Sequence, residues 1–312
     1  MNTLLQTMAP IFGLMALGYA ASRVRLIEEA GAKGLVAFVF NFSIPALLLT
    51  SMARLEIAPD QNWGFLIAFY ASSFVVYGLG LASGWLLFAR PLREQAIFGM
   101  GAAFSNLVLM GIPIVLTALG PEASLPMLVI IGFHSATFMP ITVLLIQAGD
   151  GGDQSLGRRV AGLAADVLRN PIILGILVGA LVNVGRVDLW VGVEAMLEFL
   201  GAAAVPCALF AMGASLANYP LAGDVPSALT LTGLKLLVHP FLVWLIAVPV
   251  LGLSGIAVSV AVLLAAMPSA VNVYLFGARY EAAPRVAART VLVSTLGSIL
   301  TIAVVLLLLG GA

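Results

Sequence analysis

The chain has 312 residues, 62% hydrophobic and only 9% charged, with a formal net charge of zero. A soluble domain carries about 25% charged residues, so this composition excludes a soluble globular protein and describes a polytopic membrane protein in a lipid bilayer. The zero net charge offers no surface for nucleic acid, and the single cysteine, Cys207 in an apolar run, excludes an internal disulfide.

Taken in chain order, Met1-Asn2-Thr3-Leu4 lacks the positive n-region of a secretory signal and reads as the start of a first span. A crossing needs roughly 20 apolar residues. Ten such spans follow, near 4–21, 34–53, 63–89, 95–118, 126–147, 171–187, 193–217, 228–250, 253–278 and 287–310. Trp63 and Trp190 fall at span starts, Tyr219 and Tyr280 at span ends, as in an interfacial aromatic belt. The longest polar connection, 148–170, is too short to bury a core and reads as a cytoplasmic linker.

Lys and Arg placement sets the orientation. The loops after odd-numbered spans carry Arg23, Arg25, Lys33, Arg90, Arg93, Arg158, Arg159, Arg169, Arg279, Arg285 and Arg289. The other side carries only Arg54 and Arg186, and Lys235 lies inside span 8. The odd loops are therefore expected in the cytoplasm and both termini outside, in a multi-pass protein of the inner (cytoplasmic) membrane.

Pro10, Pro45 and Pro59 recur as Pro171, Pro206 and Pro220, each displaced by 161 residues, about half the chain. Residues 1–147 and 171–312 then form two repeats of five spans. Five is odd, so equivalent spans cross in opposite directions, an inverted repeat typical of secondary transporters. The expected fold is all-α, with ten transmembrane helices.

Two spans carry interruptions. Span 4 reads Asn106-Leu107-Val108-Leu109-Met110-Gly111-Ile112-Pro113, and span 9 reads Ala266-Met267-Pro268-Ser269-Ala270-Val271-Asn272-Val273-Tyr274. A broken helix exposes backbone groups that hydrocarbon cannot satisfy, so it faces protein or a polar cavity. One such interruption in each half marks a transporter's substrate site. Span 4 is expected to restart near Pro113, where free N–H groups and a partial positive charge suit an anion. Asn106 either contacts substrate or satisfies broken backbone, and Ser269 and Asn272 have the same two readings.

Ionisable groups inside a membrane default to function. Here they are His134 in span 5 and Lys235 and His239 in span 8, with no Asp or Glu near the middle of any span. His134 either carries a coupling proton or is a neutral histidine bonded between helices. Lys235 pairs with substrate, caps the carbonyls of a broken helix, or snorkels; the structural role is favoured. His239, before Pro240, has no assigned role. Asn41 and Ser43, just before Pro45, face a central cavity or pack between helices. Gly80/Gly84 and Gly175/Gly179 are GxxxG pairs that signal close helix contact. No enzyme motif, metal cluster or cofactor-binding signature is present in the sequence. The missing carboxylates argue against a cation antiporter.

Asn106-Leu-Val-Leu-Met-Gly-Ile-Pro113 resembles the N-T-L-V-M-G-I-P stretch of PIN-type auxin carriers. Ile11-Phe12-Gly13-Leu14-Met15-Ala16-Leu17-Gly18-Tyr19 resembles the opening span of bacterial auxin efflux carrier (AEC) family proteins, which include malonate carriers. Ala266-Met267-Pro268 with Ala278-Arg279-Tyr280 is similar to the family's span 9. The resemblance implies two inverted five-helix repeats with spans 4 and 9 crossing as broken helices. It implies a mobile transport domain of spans 3–5 and 8–10 and a dimeric scaffold of spans 1, 2, 6 and 7. It also implies that Asn106 and the backbone near Val271 and Asn272 hold a substrate carboxylate, with His134 lining the site. The chain departs from the plant pattern at Asn272-Val273 and in its short central loop, so the plant substrate is not assumed.

The expected substrate-binding set is Asn106, Gly111, Ile112, Pro113, His134, Pro268, Ser269, Val271, Asn272, Asn41 and Ser43. The expected function is secondary transport of a small organic anion, auxin-like or a dicarboxylate such as malonate, driven by a proton or the membrane potential. The alternatives are a sodium-coupled bile-acid-type symporter and a membrane receptor that binds without transport.

Overall fold

A computed structural model describes residues 2–55, 62–149, 169–217 and 224–310. Most of the expected linker, with Arg158 and Arg159, lies outside them, as do Pro59, Tyr219 and Pro220. The described residues form helices and no strand: α1 (Asn2–Arg23), α2 (Glu29–Ala53), α3 (Gly64–Leu86), α4 (Leu92–Ala103), α5 (Leu107–Leu119), α6 (Pro121–Gly149), α7 (Pro171–Gly185), α8 (Val191–Leu216), α9 (Val225–Val250), α10 (Ile256–Ala265), α11 (Val271–Arg279) and α12 (Pro284–Gly310). Six of these, α2, α3, α6, α8, α9 and α12, are long and apolar enough to cross a membrane. Large apolar side chains such as Leu181, Val184, Trp190, Phe199 and Leu300 stand exposed, as lipid-facing positions would. The chain is an integral membrane protein by length and composition.

Local chemistry sets the helix ends. Asn170 caps α7, its side chain accepting from the Ile172 N–H at 3.0 Å, with Pro171 in the first turn. Asp224 caps α9, accepting from the Ser227 N–H at 3.2 Å and the Ser227 hydroxyl at 2.6 Å. Prolines explain three wide turns. The π turns Val39–Ser43, Leu107–Gly111 and Leu234–Val238 each end two residues before a proline: Pro45, Pro113 and Pro240. A proline has no N–H for the carbonyl four residues back, and its ring crowds that carbonyl. The turn holding Asn41, Leu109 or Leu236 therefore widens, and the helix continues.

The chain folds as two compact units. One holds α1, α2, α7, α8, α5 from Val108 onward and α6 up to Phe133. Here α1 meets the second half of α8 where only glycine fits: a Cβ on Gly18 would strike the Phe210 carbonyl, and one on Gly213 the Met15 carbonyl. α7 packs on α2 through Gly175 and Gly179, where a Cβ would lie 2.7 Å from the Pro45 carbonyl oxygen and 2.5 Å from that of Leu49. Arg54 at the end of α2 reaches Glu194 and Glu198 of α8 at 2.5 and 2.6 Å, and these bonds raise its pKa further above the usual guanidinium value.

The other unit holds α3, α4, α6 from His134 onward and α9 to α12. Its core includes Val76, Tyr77, Phe98, Met100, Phe104, Phe138, Val273, Val286 and Val291. α3 lies against α4 through Gly80, a member of the other glycine pair. Arg90 joins this unit's ends, pairing with Glu94 at 3.3 Å and Asp224 at 2.9 Å.

Candidate functional site

The two gaps between helices, 104–106 and 266–270, fall in the second unit and pair with each other. α4 ends at Ala103 and α5 begins at Leu107, leaving Phe104, Ser105 and Asn106 outside helix. α10 ends at Ala265 and α11 begins at Val271, leaving Ala266 to Ala270. The gaps run antiparallel with Ser105 opposite Ser269. The Asn106 N–H donates to the Pro268 carbonyl at 2.8 Å, and the Ala270 N–H donates to the Phe104 carbonyl at 3.0 Å. A two-residue piece of β-ladder thus satisfies backbone that apolar surroundings cannot.

Side chains complete the arrangement. The Ser269 hydroxyl donates to the Gly101 carbonyl at 2.6 Å, and its N–H donates to the Ser294 hydroxyl at 3.1 Å. The Ser105 N–H donates to His134 Nε2 at 3.0 Å. A nitrogen that accepts from an N–H carries no proton, so His134 is a neutral ring with its hydrogen on Nδ1. His134 is 2% exposed. It stacks on Phe104 at 4.6 Å and meets Phe69 and Phe138 edge-on. Its Nδ1 and the Ser105 hydroxyl are both buried and have no hydrogen-bond partner in the structure.

On α9, Lys235 is fully buried. Its Nζ donates to the carbonyl of Ala265, the last residue of α10, at 2.5 Å, and contacts His239 Nδ1 at 3.0 Å. His239 Nε2 lies 2.9 Å from the Ser73 hydroxyl, which donates to the Phe69 carbonyl at 2.7 Å.

Of the expected site residues, this unit brings together Asn106, His134, Pro268, Ser269, Val271 and Asn272, with Lys235 at the near end of α10. Asn106 is buried and Asn272, second residue of α11, is half-buried. The helix restart in span 4 differs from the expectation. α5 resumes at Leu107 rather than near Pro113, because the π turn absorbs the proline and the helix runs through it. Gly111, Ile112 and Pro113 are therefore inside α5, in the first unit. Asn41 and Ser43 also belong to the first unit. Asn41 is exposed and donates back to the Ala37 carbonyl at 2.7 Å, while Ser43 is buried with an unpartnered hydroxyl.

Sequence reasoning passed over Ser105, Ser294, Ser73 and the Lys235–His239 contact. Two signals were present. Ser105 adjoins Asn106, and Thr290, Ser294 and Ser298 recur every fourth residue along α12, a polar stripe in an apolar helix. Ser73 becomes visible only once α3 and α9 are packed.

Comparison with known proteins places the chain in a family. A family model described as membrane transport protein matches residues 3–306. The chain is 31% identical to the "Putative malonate transporter" of Rhizobium meliloti, covering 94% of this chain and 92% of that protein. It is 27% identical to an uncharacterized transporter of Methanothermobacter thermautotrophicus, over 85% of each chain. It is 24% identical to the uncharacterized transporter YfdV of Escherichia coli K12, over 94% of this chain and 93% of the other. The chain belongs to the membrane transport protein family, that of the auxin efflux carriers, and is a membrane transporter rather than an enzyme.

Proposed function

We propose that the protein is a secondary transporter that carries a small organic anion across the cytoplasmic membrane by alternating access around the paired helix breaks. The observation that carries this reading is the antiparallel pairing of residues 104–106 with 266–270. It ends α10 and begins α11 in the middle of a packed unit, and a helix N-terminus there favours negative charge. The carboxylate would take the Val271 and Asn272 N–H groups, the Asn106 amide and the Nδ1–H of His134, with the Ser105 hydroxyl free to join. Pro268 and Ser269 would hold the break in shape. Gly111, Ile112 and Pro113 would serve as α5 backbone.

The same reading takes the chain as ten crossings in two inverted five-helix repeats, 1–147 and 171–312, joined by a cytoplasmic linker, with both termini outside. α4 with α5, and α10 with α11, would each make one broken crossing. Spans 1, 2, 6 and 7 would be the scaffold, forming a homodimer, and spans 3–5 and 8–10 the moving part. The relative named for malonate and the buried Lys235, His134 and His239, with no Asp or Glu buried among the described residues, favour a carboxylate substrate.

Uptake of labelled malonate, succinate and indole-3-acetate into proteoliposomes, with and without Na⁺, tests the reading. Saturable, Na⁺-independent flux is expected. Asn106→Ala should lower it by about tenfold or more, since a hydrogen bond to a charged group contributes about 1.5–3 kcal/mol. Equal flux in the folded variant would remove Asn106 from the site. Flux of none of the three acids by folded wild-type protein would refute the anion reading.

A further inference from the structure

We infer that Lys235 and His239 together form the proton-binding site that couples transport to proton movement, with Lys235 the group that titrates. The inference rests on the anion-transport reading. It begins from a count of hydrogens. Ser73 has one hydroxyl hydrogen and donates it to the Phe69 carbonyl, so it accepts from His239 Nε2–H. His239 Nδ1 is then bare and accepts from Lys235. The second hydrogen of Lys235 goes to the Ala265 carbonyl.

This arrangement needs only two hydrogens on the Lys235 nitrogen. A neutral amine has two and an ammonium has three, so the pair can gain or lose one proton and keep both bonds. His134 cannot do the same. Its Nε2 accepts the Ser105 N–H, and a proton there would break the bond that ties it to the helix break.

The surroundings leave the balance open. Facing the pair are Ser73 and Phe69 from α3, His134 from α6 and the Ala265 carbonyl from α10. The Phe69 ring lies 5.6 Å from His239 and 5.8 Å from His134. No Asp or Glu is buried among the described residues. The carbonyl end of α10 favours an ammonium, and burial without a counter-ion opposes it. A substrate carboxylate at the adjoining break supplies the missing negative charge. Anion and proton therefore bind together and leave together, one proton for each substrate.

The test is the ratio of protons to malonate entering proteoliposomes that contain a pH-sensitive dye. A ratio near one is expected for the wild type. Lys235→Gln keeps a side-chain N–H donor but cannot titrate, and Lys235→Arg stays charged at every working pH. Lys235→Arg keeps the charge that faces the carboxylate, so malonate counterflow, exchange across the membrane without net transport, should continue with a ratio near zero, while Lys235→Gln should weaken counterflow and drop the ratio as well. A ratio near one in either folded variant overturns the assignment. Wild-type malonate flux without protons overturns it too and leaves anion transport standing. Neither flux nor counterflow of malonate, succinate or indole-3-acetate overturns both.

Discussion

Two glycines on one helix give a sharp test of the packing. Gly80 and Gly78 both lie in α3, two residues apart. A Cβ on Gly80 would sit 2.6 Å from the Phe98 carbonyl oxygen, 2.8 Å from the Gly99 Cα and 2.9 Å from the Ala102 Cβ. Ordinary contact begins at 3.4 Å, so the first of these lies 0.8 Å too close, and the obstacles include α4 backbone, which cannot rotate away. Gly80→Ala must push α3 and α4 apart along a seam that carries Tyr77 and Phe98 of the core. Overpacking of this kind costs about 1–3 kcal/mol. A Cβ on Gly78 meets nothing within 4 Å, so Gly78→Ala should be neutral or stabilising by up to about 1 kcal/mol through helix propensity. Thermal unfolding of the purified protein in detergent reads both, each kcal/mol moving the midpoint by about 2–4 °C in a chain of this general size. The reasoning is refuted if Gly80→Ala melts with the wild type, or if Gly78→Ala loses as much.

Asn183 of α7 offers its amide to the carbonyls of Met52, Ala53 and Leu55 at 3.2, 2.9 and 2.8 Å, closing the end of α2. Asn183→Ala should cost about 1–3 kcal/mol, and Asn183→Asp more, because it turns a donor into an anion facing three carbonyls; denaturation of the two variants side by side checks the order. Burial pushes the Asp224 carboxyl up, but the Ser227 hydroxyl and N–H and the Arg90 guanidinium together outweigh it and hold the group below its usual value. Its contribution is therefore present above the unfolded value, near about 4, and is lost as pH falls through the folded one. Asp224→Ala should cost about 1–2 kcal/mol at pH 7, mostly from the lost cap with the part-exposed ion pair discounted, and unfolding measured between pH 7 and pH 3 should show the difference shrinking.

The apolar runs announced the helices because membrane spans are long and uniform. Both interruptions were legible too, since Pro, Ser and Asn stand out in such runs. The place where α5 restarts was not. A proline in sequence reads as a stop, yet a π turn lets α2, α5 and α9 run on through Pro45, Pro113 and Pro240. Glycine spacing at 80/84 and 175/179 pointed to tight helix contacts, and Gly80, Gly175 and Gly179 sit at them. The partners of His134 and Lys235 were beyond reach. A backbone N–H 29 residues away and a carbonyl 30 residues away become neighbours only through tertiary packing, which leaves no period in the sequence.

The pairing of the two gaps also sets a schedule for biogenesis. Ser105 and Ser269 are separated by more than half the chain. At about 5–20 residues per second, synthesis brings the second gap to the ribosome roughly 8–30 s after the first. During that interval the Phe104 carbonyl and the Asn106 N–H have no strand to bond. The nascent first half must keep them wet or shielded by the insertion machinery. A ribosome stalled anywhere before Pro268 thus holds a product whose backbone at the first gap is still unpaired.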